Sequence, residues 1–155
     1  MKISDILCGE EGIEVNLVST SKNEVLTELI DLLCRSHKIK DFDHIKLAIF
    51  EREKLSSTGI CNGLAIPHAK VEGINSVIAA LGISKKGVDF QAMDHLLSHI
   101  FFVLVSPKDD HGSNHVKTLA KITKILKDEA GRKELMECNN SLSVLNFIKN
   151  KEEKV

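Results

Sequence analysis

The chain has 155 residues, with 21 Lys+Arg against 22 Asp+Glu for a formal net charge of -1, and 43% of it is hydrophobic. That length supports one full core and not two, predicting a single domain over residues 1–150 with a frayed polar tail at 151–155. The balanced charge and the absence of Trp and Tyr exclude a nucleic-acid surface built on phosphate neutralisation and base stacking.

The N-terminal stretch is interrupted by Asp5, which argues against a signal peptide; Ile6-Leu7-Cys8 resembles a lipoprotein cleavage site without the hydrophobic region that should precede it. Apolar runs elsewhere fall short of the roughly 20 residues that span a bilayer, so no membrane insertion is expected. Cys8, Cys34, Cys61 and Cys138 form no C-x-x-C pair. A cytoplasmic protein with reduced thiols is therefore expected.

Ile13, Val15 and Leu17 alternate with polar neighbours, the pattern of a half-buried strand. Ser21 and Glu24 form a capping box, and Val25, Leu26, Leu29, Ile30 and Leu33 follow at helical spacing to about His37. A second helix is predicted from Asp43 to about Glu53, with Ile45, Ala48 and Ile49 inward. Leu55–Lys70 reads as an ordered loop entering a short strand at Leu64–Ile66. Strands are predicted at Val77–Ile83, ended by a Lys85-Lys86-Gly87 turn, and at Ile100–Val105, whose uncharged run predicts burial on both faces. After Pro107 a helix should run from about His115 to Lys127, with Val116, Leu119, Ala120, Thr123 and Leu126 inward. Two shorter helices follow, near Arg132–Cys138 and Leu142–Lys149. Interspersed helices and strands predict an α/β fold, a single mixed sheet of about five strands flanked by helices.

Dinucleotide, P-loop, EF-hand, zincin and nucleophile-elbow motifs are absent. His95/His99 and His111/His115 stand four apart, leaving zinc binding as an alternative, although neither pair lies wholly on a predicted helix. Residues 52–70 are the informative segment. Pro67 stiffens the backbone that leads into His68, and Gly59 and Gly63 permit close approach of backbone to a ligand. Ser56, Ser57 and Thr58 supply hydroxyls, and Arg52 supplies a guanidinium suited to phosphate.

Arg52–Lys70 reads R-E-x-L-x-S-T-G-I-x-N-G-L-A-I-P-H-A-K, which resembles the active-site signature of enzyme IIA domains of the fructose/mannitol class in bacterial sugar phosphotransferase systems, nearest to the nitrogen type. The family's G-x-x-F-x-A-x-D turn is matched by Gly87–Asp94, and its second His opening a helix by His115 in His115–Leu119. Val116 departs from the family's usual Leu, a change read as tolerable on a packed helix face, and His111 is an additional His in the preceding loop that competes for the role of His115.

The resemblance implies that His68 is the phosphoacceptor, charged by a histidine-containing phosphocarrier protein, with no cofactor or metal. Arg52 and His115 are then expected to stabilise the transferring group, and Thr58, Gly59, Gly63 and Pro67 to shape its binding site. A cation ~4 Å from a phosphoryl charge contributes on the order of 4 kcal/mol at an effective dielectric of about 20, before desolvation. The His68 ring should bond a carbonyl in the Pro67–Lys70 region, Asp94 should orient a loop, and Cys61 should be a packed loop thiol. Ile60, Leu64 and Ala69 are expected to form an apolar docking rim. Two outputs are expected, regulatory binding of target proteins gated by phosphorylation or, alternatively, donation to a IIB domain in sugar transport.

Overall fold

The computed structural model describes residues 1–110 and 113–155. A short helix α1 (Ile3–Ile6) and a 3₁₀ turn (Gly9–Gly12) lead into β1 (Ile13–Glu14). Helices α2 (Lys22–Ser36) and α3 (Phe42–Leu55) come next, followed by β2 (Leu64–Ala65), β3 (His68–Val71), β4 (Ile78–Val88) and β5 (Ser98–Pro107). Helices α4 (Asn114–Ile125), α5 (Glu129–Met136) and α6 (Ser141–Glu153) close the chain.

β5 is the centre of a mixed five-stranded sheet. β4 runs antiparallel to it from Ile78↔Val105 to Ile83↔Ile100, and β1 adds in parallel beyond β4. On the other edge β2 and β3 pair in parallel with successive halves of β5, through Leu64↔Ile100 and His68↔Leu104. Strand alternation divides β5 between two cores. Ile100, Phe102 and Leu104 pack with α1, α4, α5 and α6, while Phe101, Val103 and Val105 pack with α2 and α3. All six are at most 2% exposed, as the predicted two-faced burial requires. Each such side chain contributes about 1.5–3 kcal/mol.

Several boundaries differ from expectation. β4 does not end at Ile83: it continues through Lys85-Lys86-Gly87 to Val88 across a register irregularity, with Gly87 at φ +87°. α3 begins at Phe42, with Asp43 in its first turn, and Asp41 caps it by accepting the His44 N–H. In the α2 cap, Ser21 accepts the Glu24 N–H, but the Glu24 carboxylate returns to the Ser21 hydroxyl rather than to its backbone N–H. The predicted frayed tail is also corrected, because α6 extends to Glu153 and Glu152 accepts from both the backbone N–H and the hydroxyl of Ser4. Two hydrogen bonds at α1 order what composition alone reads as solvated. Among the described residues no helix is long and apolar enough to cross a membrane.

Candidate active site

His68 is the first residue of β3, a strand that sequence reading leaves as loop. Pro67 offers no N–H, so it separates β2 from β3, yet its carbonyl accepts from Leu104 and keeps the chain on β5. Alternation then buries Ala69 and Val71 and leaves His68 half-buried on the opposite side. Its Nδ1 lies 2.7 Å from the Ile66 carbonyl oxygen, just outside the expected Pro67–Lys70 region. A carbonyl only accepts, so the proton sits on Nδ1 and Nε2 keeps its lone pair. Burial lowers the pKa of His68; Arg52 acts in the same direction, while the Ile66 bond and Glu53 oppose it. The ring is therefore neutral at pH 7 and nucleophilic at Nε2.

The second imidazole is that of His115. Its ring centroid lies 5.1 Å from that of His68, with the planes at 59°. α4 begins beyond Ser113, which has left-handed backbone at φ 55°, and the Asp110 carboxylate accepts the N–H groups of Asn114 and His115 at 3.1 and 2.7 Å. Charge at that helix start is thus satisfied by a carboxylate. His115 is 6% exposed, with Nδ1 2.6 Å from Ser106 Oγ. Burial, followed by the neighbouring His68 and Lys70, pushes its pKa down to about 4. His111 lies outside the described residues.

Arg52 sits in the last turn of α3, donates to the Ser56 carbonyl at 3.2 Å, and borders the same cleft as His68. The neighbouring Glu53, missed in the sequence reading, turns inward at 8% exposure. Its carboxylate accepts the Thr58 N–H and hydroxyl, each at 2.8 Å, and faces Lys22 Nζ at 3.4 Å. The Ser57 hydroxyl donates to the Phe90 carbonyl. Thr58 and Ser57 are therefore committed to holding the loop and do not offer free hydroxyls to a ligand. The sequence signal for Glu53 was its place beside Arg52, five residues before a Thr that needed an anchor.

The glycines also serve the loop itself. A Cβ on Gly59 would stand 2.9 Å from Ala92 Cα, so this glycine admits the Phe90–Ala92 segment, not a ligand. Gly63 turns at φ +82° and its carbonyl accepts from His99 and Ile100. Asp94 orients the loop as expected, accepting the Asn62 and Leu96 N–H groups at 2.8 and 3.1 Å. Cys61 is exposed, not packed. His99 Nδ1 bonds the Ser84 carbonyl, and among the described residues no three His, Cys, Asp or Glu side chains converge to hold a metal.

A cleft of about 700 Å³ opens beside His68, bordered by Arg52, Ile60, Met93, Val116 and Lys124. Leu64 and Ala69 are buried and do not form its rim; Met93 (77% exposed) and Val116 (62%) do. Val116 thus lies in the cleft and not on a packed face. Likewise Ala120 and Thr123, expected inward, are exposed on the side of α4 that borders the cleft. The arrangement presents one nucleophilic ring nitrogen, a second neutral imidazole and a guanidinium in an apolar surround, which suits transfer of a compact anionic group.

The sequence profile of the family described as "Phosphoenolpyruvate-dependent sugar phosphotransferase system, EIIA 2" matches residues 6–151. The chain is 33% identical over 148 residues to a PTS system fructose-specific EIIABC component of Bacillus subtilis, covering 96% of this chain but only 23% of that protein's length. It is 36% identical over 112 residues to a nitrogen regulatory protein of Pseudomonas aeruginosa, covering 72% of each. The crystal structure of nitrogen regulatory protein IIA-Ntr from Neisseria meningitidis superposes with a TM-score of 0.86 at 27% identity, over 94% of this chain and 98% of that one.

Proposed function

This chain belongs to the EIIA 2 family of the phosphoenolpyruvate-dependent sugar phosphotransferase system, and on that premise we propose that His68 accepts and passes on a phosphoryl group. The donor is the phosphohistidine of the histidine-containing phosphocarrier protein. The Nε2 lone pair of His68 attacks phosphorus as the donor's N–P bond breaks, and that electron pair leaves with the donor imidazole. The observation that carries the reading is the His68 Nδ1–Ile66 carbonyl bond, which leaves Nε2 unprotonated in a ring neutral at pH 7. Arg52 and His115 border the phosphoryl position, where charge spread over three oxygens is stabilised by placed donors. Thr58, Gly59, Gly63 and Pro67 act through the loop that holds His68 and the cleft wall, not by direct contact with phosphate.

The output is phosphorylation-dependent binding of regulated target proteins, supported by the likeness to the Pseudomonas aeruginosa and Neisseria meningitidis nitrogen regulatory proteins. The second reading is donation to a IIB domain in sugar transport. Likeness over nearly the whole chain to a protein named for fructose EIIA, B and C components favours it. Incubation with labelled phosphoenolpyruvate and the general phosphotransferase proteins tests the common premise. Acid-labile label on the wild type that disappears in His68→Ala is the expected result; equal labelling of His68→Ala would overturn it. Chasing the labelled protein with a fructose-type IIB domain then separates the readings, rapid loss of label supporting transport and retention supporting regulation.

A further inference from the structure

The least explained group near the cleft is the hydroxyl of Ser106. It lies on β5, one residue before Pro107, and is fully buried. Among the described residues its only side-chain hydrogen bond is the 2.6 Å contact with His115 Nδ1. Two arrangements fit that distance. If His115 Nδ1–H donated to Ser106, the serine O–H would need another buried acceptor, and the described residues supply none. If Ser106 donates to an unprotonated Nδ1, the fully buried hydroxyl hydrogen has its acceptor, and the remaining ring proton of His115 sits on Nε2, which is not among the fully buried unpartnered atoms of the described residues. An unmade buried donor costs about 1–3 kcal/mol, and serine's spare lone pairs cost less, so the second arrangement prevails.

We propose that Ser106 is a positioning residue that locks His115 in the neutral tautomer with its proton on Nε2, the form that donates a hydrogen bond to a phosphoryl group on His68. This rests on the phosphoryl-transfer reading of His68. The two imidazoles are then set in opposite senses by their Nδ1 partners. The Ile66 carbonyl forces Nδ1–H on His68 and makes its Nε2 a nucleophile, while the Ser106 hydroxyl forces bare Nδ1 on His115 and makes its Nε2–H a donor. One hydrogen-bonding acceptor and one donor thus convert a pair of identical side chains 5.1 Å apart into two complementary groups. The geometry of α4 supports this assignment, because Asp110 anchors the His115 backbone and leaves the ring's orientation to Ser106. A neutral donor also supplies hydrogen bonding without the full charge of an imidazolium, which would bind phosphohistidine tightly as a ground state and slow its onward transfer.

Long-range ¹H–¹⁵N correlation spectra of histidine-labelled protein at pH 7.5 read the tautomers directly. The expected result is Nε2–H for His115 and Nδ1–H for His68 in the wild type. Ser106→Ala should shift His115 to a mixture of tautomers and slow phosphoryl exchange at His68 roughly tenfold, the lower end of the 10–100-fold losses that follow removal of the hydrogen-bond partner of a metal-ligating histidine. Ser106→Thr, which keeps the hydroxyl, should restore both. Nδ1–H on His115 in the wild type overturns the proposal without any variant, even if a substitution at this buried site fails to fold. An unchanged tautomer in folded Ser106→Ala also overturns it, while leaving His68 labelling intact. Failure of wild-type His68 to take up label would instead overturn the phosphoryl-transfer reading, and the donor role of His115 with it.

Discussion

α2 and α4 are both amphipathic helices laid against the sheet on opposite faces, yet they bury opposite kinds of side chain. α2 turns Val25, Leu26, Leu29, Ile30, Leu32 and Leu33 into the core, none more than 5% exposed. The first half of α4 does the reverse: His115 and Thr118 are inside, while Val116 is 62% exposed. Only its second half, through Ile122 and Ile125, packs as core. The same periodicity therefore means stability in one helix and a cleft wall in the other. An apolar stripe identifies a helix but does not say which of its sides meets the protein.

The comparison breaks first at α2. Leu29 is fully buried, and Leu29→Ala should destabilise the fold by about 2–5 kcal/mol in urea unfolding, through lost transfer energy and the cavity left behind. A loss below about 1 kcal/mol would show that α2 is not the core-forming helix of the pair.

The next effect belongs to the buried polar side of α4. The folded-state pKa of His115, about 4, lies below its ordinary 6.5, so the unfolded chain takes up this proton first as pH falls. Stability from His115 is fully present above about pH 6.5 and is lost as pH drops toward 4, by up to about 3 kcal/mol, with His68 acting in the same direction. Unfolding free energies measured between those values should show this slope, and His115→Gln should flatten it. A slope unchanged in that variant would place the titration elsewhere.

Val116→Ser on the cleft side gives the smallest stability effect, within about 0.5 kcal/mol, because an exposed side chain loses little on folding. The rate of phosphoryl exchange with the phosphocarrier should nevertheless fall several-fold, since Val116 and Met93 form the apolar rim beside His68. An unchanged exchange rate would remove Val116 from the docking surface.

Much of this was legible from residue order. The two-faced burial of β5 follows from an uncharged run of strand length, and the α2 cap from Ser21 and Glu24. The motif singles out His68, Arg52 and His115; the fold sets His68 and Arg52 on one cleft and the His115 ring 5.1 Å from that of His68. Residue order does not mark Glu53, Ser106 and Asp110 as site residues, because each acts through a partner that lies outside its own helix, strand or loop. Thr58 and Gly59 were assigned to a ligand for the complementary reason: their real partners, Glu53 and the Phe90–Ala92 segment, occupy the space a ligand would need.

A one-dimensional pattern carries secondary-structure period, turn chemistry and the presence of a reactive imidazole, since all three depend on neighbours along the chain. By itself the sequence therefore determined an α/β fold, two helical layers and a histidine flanked by Pro67 at the edge of a strand. Which ring nitrogen of each imidazole bears the proton, which side of α4 faces out, and which hydroxyls remain free were decided only by tertiary structure. Hydrogen-bond partners and burial are set by residues that meet across the sheet, and here the carbonyl of Ile66 and the hydroxyl of Ser106 assign complementary roles to two identical side chains.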